Sequence, residues 1–147
     1  MKIVNEMKVT FLSKSENEAF ARTAVVAFFA GANPVVSDLA DIKTAVSEAV
    51  TNSIVHGYRD KSGRVEVTAR LYDGGGAYIK VRDCGCGIAD VSLAMTPMYT
   101  TAESEERAGL GFSVMESFMD SVRVVSKPNS GTSVIMRKKL QSNVEFR

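Results

Sequence analysis

Apolar residues recur every three or four positions over much of the first third of this chain and every second position from Arg64 onward, so helices precede most of the strands. Before the first helix, Lys8 to Ser13 alternates, with Val9 and Phe11 on one face and Lys8, Thr10 and Leu12 on the other, which predicts a strand. Ser15 followed three residues later by Glu18 is the pattern of a reciprocal capping box. It predicts a helix to about Ala30, with Phe20, Ala24, Ala27 and Phe28 inward and Arg22 outside that stripe, exposed. Gly31 to Pro34 breaks the pattern, and Ser37 with Asp38 opens a second helix. Its apolar face is Leu39, Ile42, Val46, Val50 and Ile54, and Gly57 is expected to stop it in a left-handed conformation.

Past residue 64, Val65, Val67, Ala69 and Leu71 alternate with Glu66, Thr68 and Arg70. Asp73-Gly74-Gly75-Gly76 turns the chain, and Ala77, Ile79 and Val81 alternate with Tyr78, Lys80 and Arg82, predicting a hairpin. Between Ala94 and Ala108 periodicity vanishes, and a stretch of that length inside one domain reads as a lid or binding loop. Phe112, Met115, Phe118 and Met119 then mark a short amphipathic helix, and strands are expected at Ser121 to Val125 and Thr132 to Lys138. The sum is an α+β fold: one domain over residues 1–147, a two-layer sandwich with a mostly antiparallel sheet and helices on one face.

Charge adds little to this picture. Eighteen basic and 17 acidic residues leave a net charge of +1, which gives no pointer to nucleic acid or an anionic membrane. The longest apolar run, Ala24 to Ala32, is short of the roughly 20 residues that span a bilayer, and the amino terminus has no basic region leading into an apolar core. A soluble, cytoplasmic protein is the expectation. One histidine and two cysteines, Cys84 and Cys86, are too few for a structural zinc, and the cysteines read as occupants of non-critical loop positions.

Candidate chemistry starts on the second helix. Glu48, Asn52 and His56 fall at i, i+4 and i+8, so a carboxylate, a carboxamide and an imidazole share one edge. By itself this could be a solvated edge with His56 near the negative end of the helix dipole. No Gly-Lys pair exists, which excludes a P-loop. Gly109 and Gly111 precede a helix whose free amides suit a phosphate, though a flexible helix start would look the same.

Taken together, the motifs resemble a known family. Glu48 through Gly57 is similar to the N box, Asp83-Cys84-Gly85-Cys86-Gly87-Ile88 to the first glycine box, and Gly109-Leu110-Gly111-Phe112 to the second, of the superfamily of gyrase, histidine kinases and MutL. Thr100-Thr101, Arg107 through Asp120, and Gly131-Thr132 extend the resemblance to the small anti-sigma serine kinases of that superfamily. The resemblance implies ATP and ADP as cofactors with Mg2+. It implies that Asp83 accepts from the adenine amino group, that Gly85 and Gly87 leave room for the base, and that Asn52 offers an oxygen to magnesium. Glu48 would accept or orient the proton of an attacking hydroxyl. Thr100 and Thr101 would lie at the nucleotide, Arg107, Gly109, Leu110 and Gly111 would hold phosphates, and Thr132 would support adenine, while His56 packs without a chemical role.

No separate helical domain carrying an acceptor histidine is present, and 147 residues leave no space for the extra domains of the gyrase and MutL hydrolases. The resemblance therefore implies a homodimeric kinase that binds a sporulation sigma factor and phosphorylates a serine on an anti-anti-sigma protein, with Arg22 on a protein-docking face. Two alternatives stay open: the related switch kinase of the general stress sigma factor, and a nucleotide-gated sequestering module without phosphate transfer.

Overall fold

The computed structural model describes residues 2–59, 61–95 and 111–142. The elements are β1 (Ile3–Leu12), α1 (Glu16–Ala30), α2 (Val36–Thr51), a π-helical segment (Asn52–Gly57), β2 (Arg64–Tyr72), β3 (Gly76–Asp83), a single turn α3 (Val91–Ala94), α4 (Phe112–Phe118), β4 (Ser121–Lys127) and β5 (Gly131–Lys139). Five strands form one antiparallel sheet in the order β1-β2-β3-β5-β4. Two local hairpins, β2–β3 and β4–β5, are joined along the β3–β5 seam, where Asp83 lies opposite Thr132.

The alternation of β2 and β3 sends Val65, Val67, Ala69, Ala77, Ile79 and Val81 to one face. There they meet Ile42, Val46 and Val50 of α2, Val25 and Phe29 of α1, and Phe112 and Met115 of α4 in a single core. Ala45 and Ala49, both fully buried, are small enough to let α2 pack closely. On the opposite face Tyr78 is buried by its neighbours: the guanidinium groups of Arg70 and Arg137 stand 4.9 and 4.8 Å from its ring centre, one on each flanking strand.

Several expectations shift. β1 begins five residues before Lys8, because Ile3–Glu6 is exposed edge strand whose pairing slips between Ile3 and Asn5, which hides any period of two. Ser15 makes no capping bond through its side chain; the Asn17 side chain donates to the Leu12 carbonyl instead, and Glu18 pairs with Arg22 at 3.1 Å. The inward stripe of α1 is Ala21, Val25 and Phe29. Phe20 is 54% exposed and packs edge-on against Phe11, Phe28 is half-buried, and Ala27 faces out. Residues 24–32 are so uniformly apolar that the pattern cannot select a stripe. α2 starts at Val36, and Asp38 is buried, with its carboxylate accepting from the Gln141 amide at 2.7 Å.

Candidate functional site

At Asn52 the second helix widens. The Tyr58 amide donates to the Ser53 carbonyl, five residues back, at 3.2 Å, where an α-helix would close four back. Gly57 does end this segment, but without the left-handed conformation expected of it. A side chain there would begin 3.0 Å from the carboxylate carbon of Asp83, so glycine is needed for close approach. The widened turn also aims the Gly57 carbonyl at the Cys86 amide, 2.7 Å away, joining the end of the helix to the loop after β3.

Asp83 ends β3 almost fully buried. Its carboxylate accepts from the Gly85 amide at 2.9 Å, the Ser53 hydroxyl and the Thr132 amide. Burial pushes the carboxyl above its ordinary value of 3.8, and the three donors pull part of the way back. A carboxylate offers about four lone-pair positions, so these donors leave acceptor capacity for a ligand in the cleft. Ionised Asp83 therefore works against folding and in favour of a donor ligand. Its contribution to stability is fully present below 3.8 and lost as pH rises through the raised value, whereas affinity for an amino-bearing base is lost as pH falls through that value. Nucleotide titrations from pH 7 downward should show affinity falling earlier than for an ordinary carboxylate, and Asp83→Asn should flatten the profile. A pH-independent affinity would exclude Asp83 as the acceptor.

The cleft over Asp83 has a volume of about 350 Å³, the size of a small-ligand site. Asn52, Asp83, Gly87 and Thr132 all line it, together with His56 and Cys86. Gly85 does not. Both glycines also let the protein's own backbone approach: an added methyl at Gly85 would stand 2.1 Å from the Gly57 carbonyl oxygen, and at Gly87 1.9 Å from that of Lys127. Glu48, half-buried one turn before Asn52, leans on Gly111, where an added methyl would stand 2.3 Å from its Oε2. The first helical box and the start of α4 are thus in contact. Thr100, Thr101, Arg107, Gly109 and Leu110 lie outside the described residues, as does most of the expected lid.

Three contributors carry no signal in the sequence. Tyr58, reading as turn material, donates its hydroxyl to the Arg64 carbonyl at 2.5 Å and accepts from the Cys84 amide at 2.8 Å, so it ties the π segment to the glycine loop. Burial raises its phenol, which keeps the donated proton in place. Ser53 and Ser126 are plain helix and strand residues in the sequence, yet both bond to the loop or to its carboxylate. Cys86 lines the cleft, and its main chain, as that of any residue there could, donates to the Gly57 carbonyl and accepts from the Asn129 amide at 2.6 Å. Arg22, expected to be exposed, is half-buried, with 32% of its side chain accessible beside Glu18.

Comparison with known proteins matches these features. Residues 11–138 fit the family described as Histidine kinase-like ATPase domain. The chain is 52% identical over 139 residues to the Anti-sigma F factor of Clostridium novyi (strain NT), covering 94% of this chain and 96% of the relative. It is 51% identical over 143 residues to that of Thermoanaerobacter sp. (strain X514), covering 97% and 99%. Among solved structures, the RsbU and RsbW domains of a Mycobacterium tuberculosis protein share its fold with a TM-score of 0.70 at 21% identity, over 98% of this chain and 35% of that one. The mycobacterial sensor histidine kinase MprB follows the same fold with a TM-score of 0.57 at 18% identity, over 92% of this chain and 99% of that one. The chain belongs to the histidine kinase-like ATPase domains and, within them, to the anti-sigma F factor family.

Proposed function

We propose that this chain is an anti-sigma factor and an ATP-dependent protein serine kinase, which binds a sporulation sigma factor as a cytoplasmic homodimer and phosphorylates a serine on an anti-anti-sigma protein. The observation that carries the reading is that Asp83, Asn52 and Thr132 share one cleft while Glu48 stands one turn away against the start of α4. No helix among the described residues is long and apolar enough to cross a membrane.

The residues present fit Mg-ATP by their chemistry. Asp83 keeps acceptor capacity for an amino group, and guanine, with a carbonyl at that position, would meet it oxygen to oxygen. Asn52 offers the oxygen that magnesium prefers. Among the described residues no group of three or more histidine, cysteine, aspartate or glutamate side chains could hold a metal alone, and phosphate oxygens and water would share the shell with Asn52. When bound, Mg-ATP would supply the transferable γ-phosphate, with magnesium offsetting its charge. Glu48 takes or orients the proton of the incoming serine hydroxyl. The exposed face of α1, including Arg22, which pairs with Glu18, is the proposed partner surface.

The test is transfer of labelled γ-phosphate from ATP to a purified anti-anti-sigma protein, run with wild type and Arg22→Glu. Magnesium-dependent label on serine, with both partner affinities changed by Arg22→Glu, is expected. Bound ATP without label would leave a nucleotide-gated sequestering module, and unchanged partner affinities in Arg22→Glu would remove that surface.

A further inference from the structure

Ser126, on β4, sits where three polar groups meet. Its Oγ accepts from the Ile88 amide at 2.8 Å, contacts the Gly131 carbonyl at 2.9 Å and lies 2.8 Å from the Thr132 hydroxyl. A serine hydroxyl has one hydrogen and two lone pairs. A carbonyl cannot donate, so the contact with Gly131 uses the hydrogen of Ser126 and one lone pair takes Ile88; the arrangement that satisfies all three contacts is the one in which Thr132 donates, to the second lone pair. Every hydrogen-bonding position of Ser126 is used, and the only hydrogen of the Thr132 hydroxyl is spent on it.

Thr132 lines the cleft beside Asp83. With its hydrogen engaged, its oxygen can meet a ligand, directly or through one water, only as an acceptor. Asp83 is also an acceptor there, and the Thr132 amide donates to it. Two adjacent acceptors form an edge that favours an amino group and opposes a carbonyl. Without Ser126 the Thr132 hydroxyl could rotate, donate to a carbonyl and blur that distinction.

We propose that Ser126 is a specificity-determining positioning residue, which fixes the Thr132 hydroxyl as an acceptor and so makes the cleft discriminate between an amino and a carbonyl group on the purine edge. This rests on the nucleotide reading given above. The experiment compares binding of ATP with that of inosine triphosphate, which carries a carbonyl in place of the amino group and a hydrogen on N1, and with that of purine riboside triphosphate, which lacks the amino group and keeps N1 as an acceptor. Wild type, Ser126→Ala, Ser126→Thr and Thr132→Val are titrated with each, and melting temperatures are recorded for all four. Preference for ATP should fall about tenfold in Ser126→Ala, the loss of one well-made hydrogen-bond distinction, and as far in Thr132→Val. Ser126→Thr, which keeps the oxygen, should restore the wild-type ratio. Should Ser126→Ala fail to fold, Ser126→Cys, with its weakly accepting sulfur, takes its place and should fall between the two. An unchanged ratio in a folded variant lacking the hydroxyl overturns the role of Ser126. Failure of folded wild type to bind any of these nucleotides overturns the nucleotide reading instead.

Discussion

Glu48→Ala is expected to slow phosphate transfer by about a hundred- to ten-thousandfold while ATP affinity stays within about threefold, because a general base acts on the acceptor proton and not on the nucleotide. Glu48 is not in the cleft wall; it stands one turn before Asn52, against Gly111. Glu48→Gln keeps the volume and the contact but has no basicity, so it should lose transfer to the same extent. Asn52→Ala should behave differently. It removes an oxygen from the cleft wall, and magnesium-dependent ATP affinity should weaken by about 1–3 kcal/mol. Single-turnover transfer measured beside calorimetric titration separates the two effects. A Glu48→Ala protein that retains a third of the wild-type rate would remove Glu48 from the chemistry, and one that no longer binds ATP would make it a binding residue.

Gly87→Ala should lower the melting temperature by about 10 °C, corresponding to about 3 kcal/mol or more for a chain of this size. Two costs combine. The backbone at Gly87 has φ of 73°, a region where a side chain costs about 1–2 kcal/mol. The added methyl would also stand 1.9 Å from the Lys127 carbonyl oxygen, a backbone atom that can yield only by moving the β4–β5 turn. Gly74→Ala separates these terms. Its φ of 88° is similarly strained, but the nearest atom is the end of the Lys139 side chain at 3.5 Å, so only the conformational cost of about 1 kcal/mol should appear. Thermal unfolding of both variants, with and without ATP, checks the pair. Equal losses would mean that the contact with Lys127 is relieved at no cost.

Where an element is amphipathic, its existence and buried face were legible from spacing alone. The stripe from Leu39 to Ile54 is the face that α2 and the π segment bury, and the hairpin after Arg64 forms with its turn at Gly74 and Gly75. α1 failed that test because neighbouring stripes are almost equally apolar, and burial was settled by which one met the sheet. The π segment is invisible for another reason. Nothing in Asn52–Gly57 prefers an extra residue per turn; tertiary contacts of Gly57 with Asp83 and Cys86 favour it. Site residues with a distinctive side chain, Asp83 and Asn52 among them, could be picked out, and they line one cleft. Gly85 and Gly87 read as space for a base from the sequence; Gly87 lines the cleft, and each also makes room for a backbone carbonyl of the chain. Tyr58, Ser53 and Ser126 stayed hidden because their work is to satisfy loop amides, carbonyls and a buried carboxylate whose positions exist only after folding.

The β3–β5 seam has a kinetic consequence. Each hairpin closes a short loop and can form within microseconds, but joining them brings together segments far apart in sequence, and that loop closure is slow and entropically costly. Asp83 and Thr132 face each other across that seam. A folding intermediate with both hairpins formed and the seam still open would therefore contain nearly every strand hydrogen bond of β2–β3 and β4–β5 and no cleft. Nucleotide would bind only the species in which the slow step is complete, so refolding followed by ATP capture should lag refolding followed by the loss of backbone exchange within either hairpin.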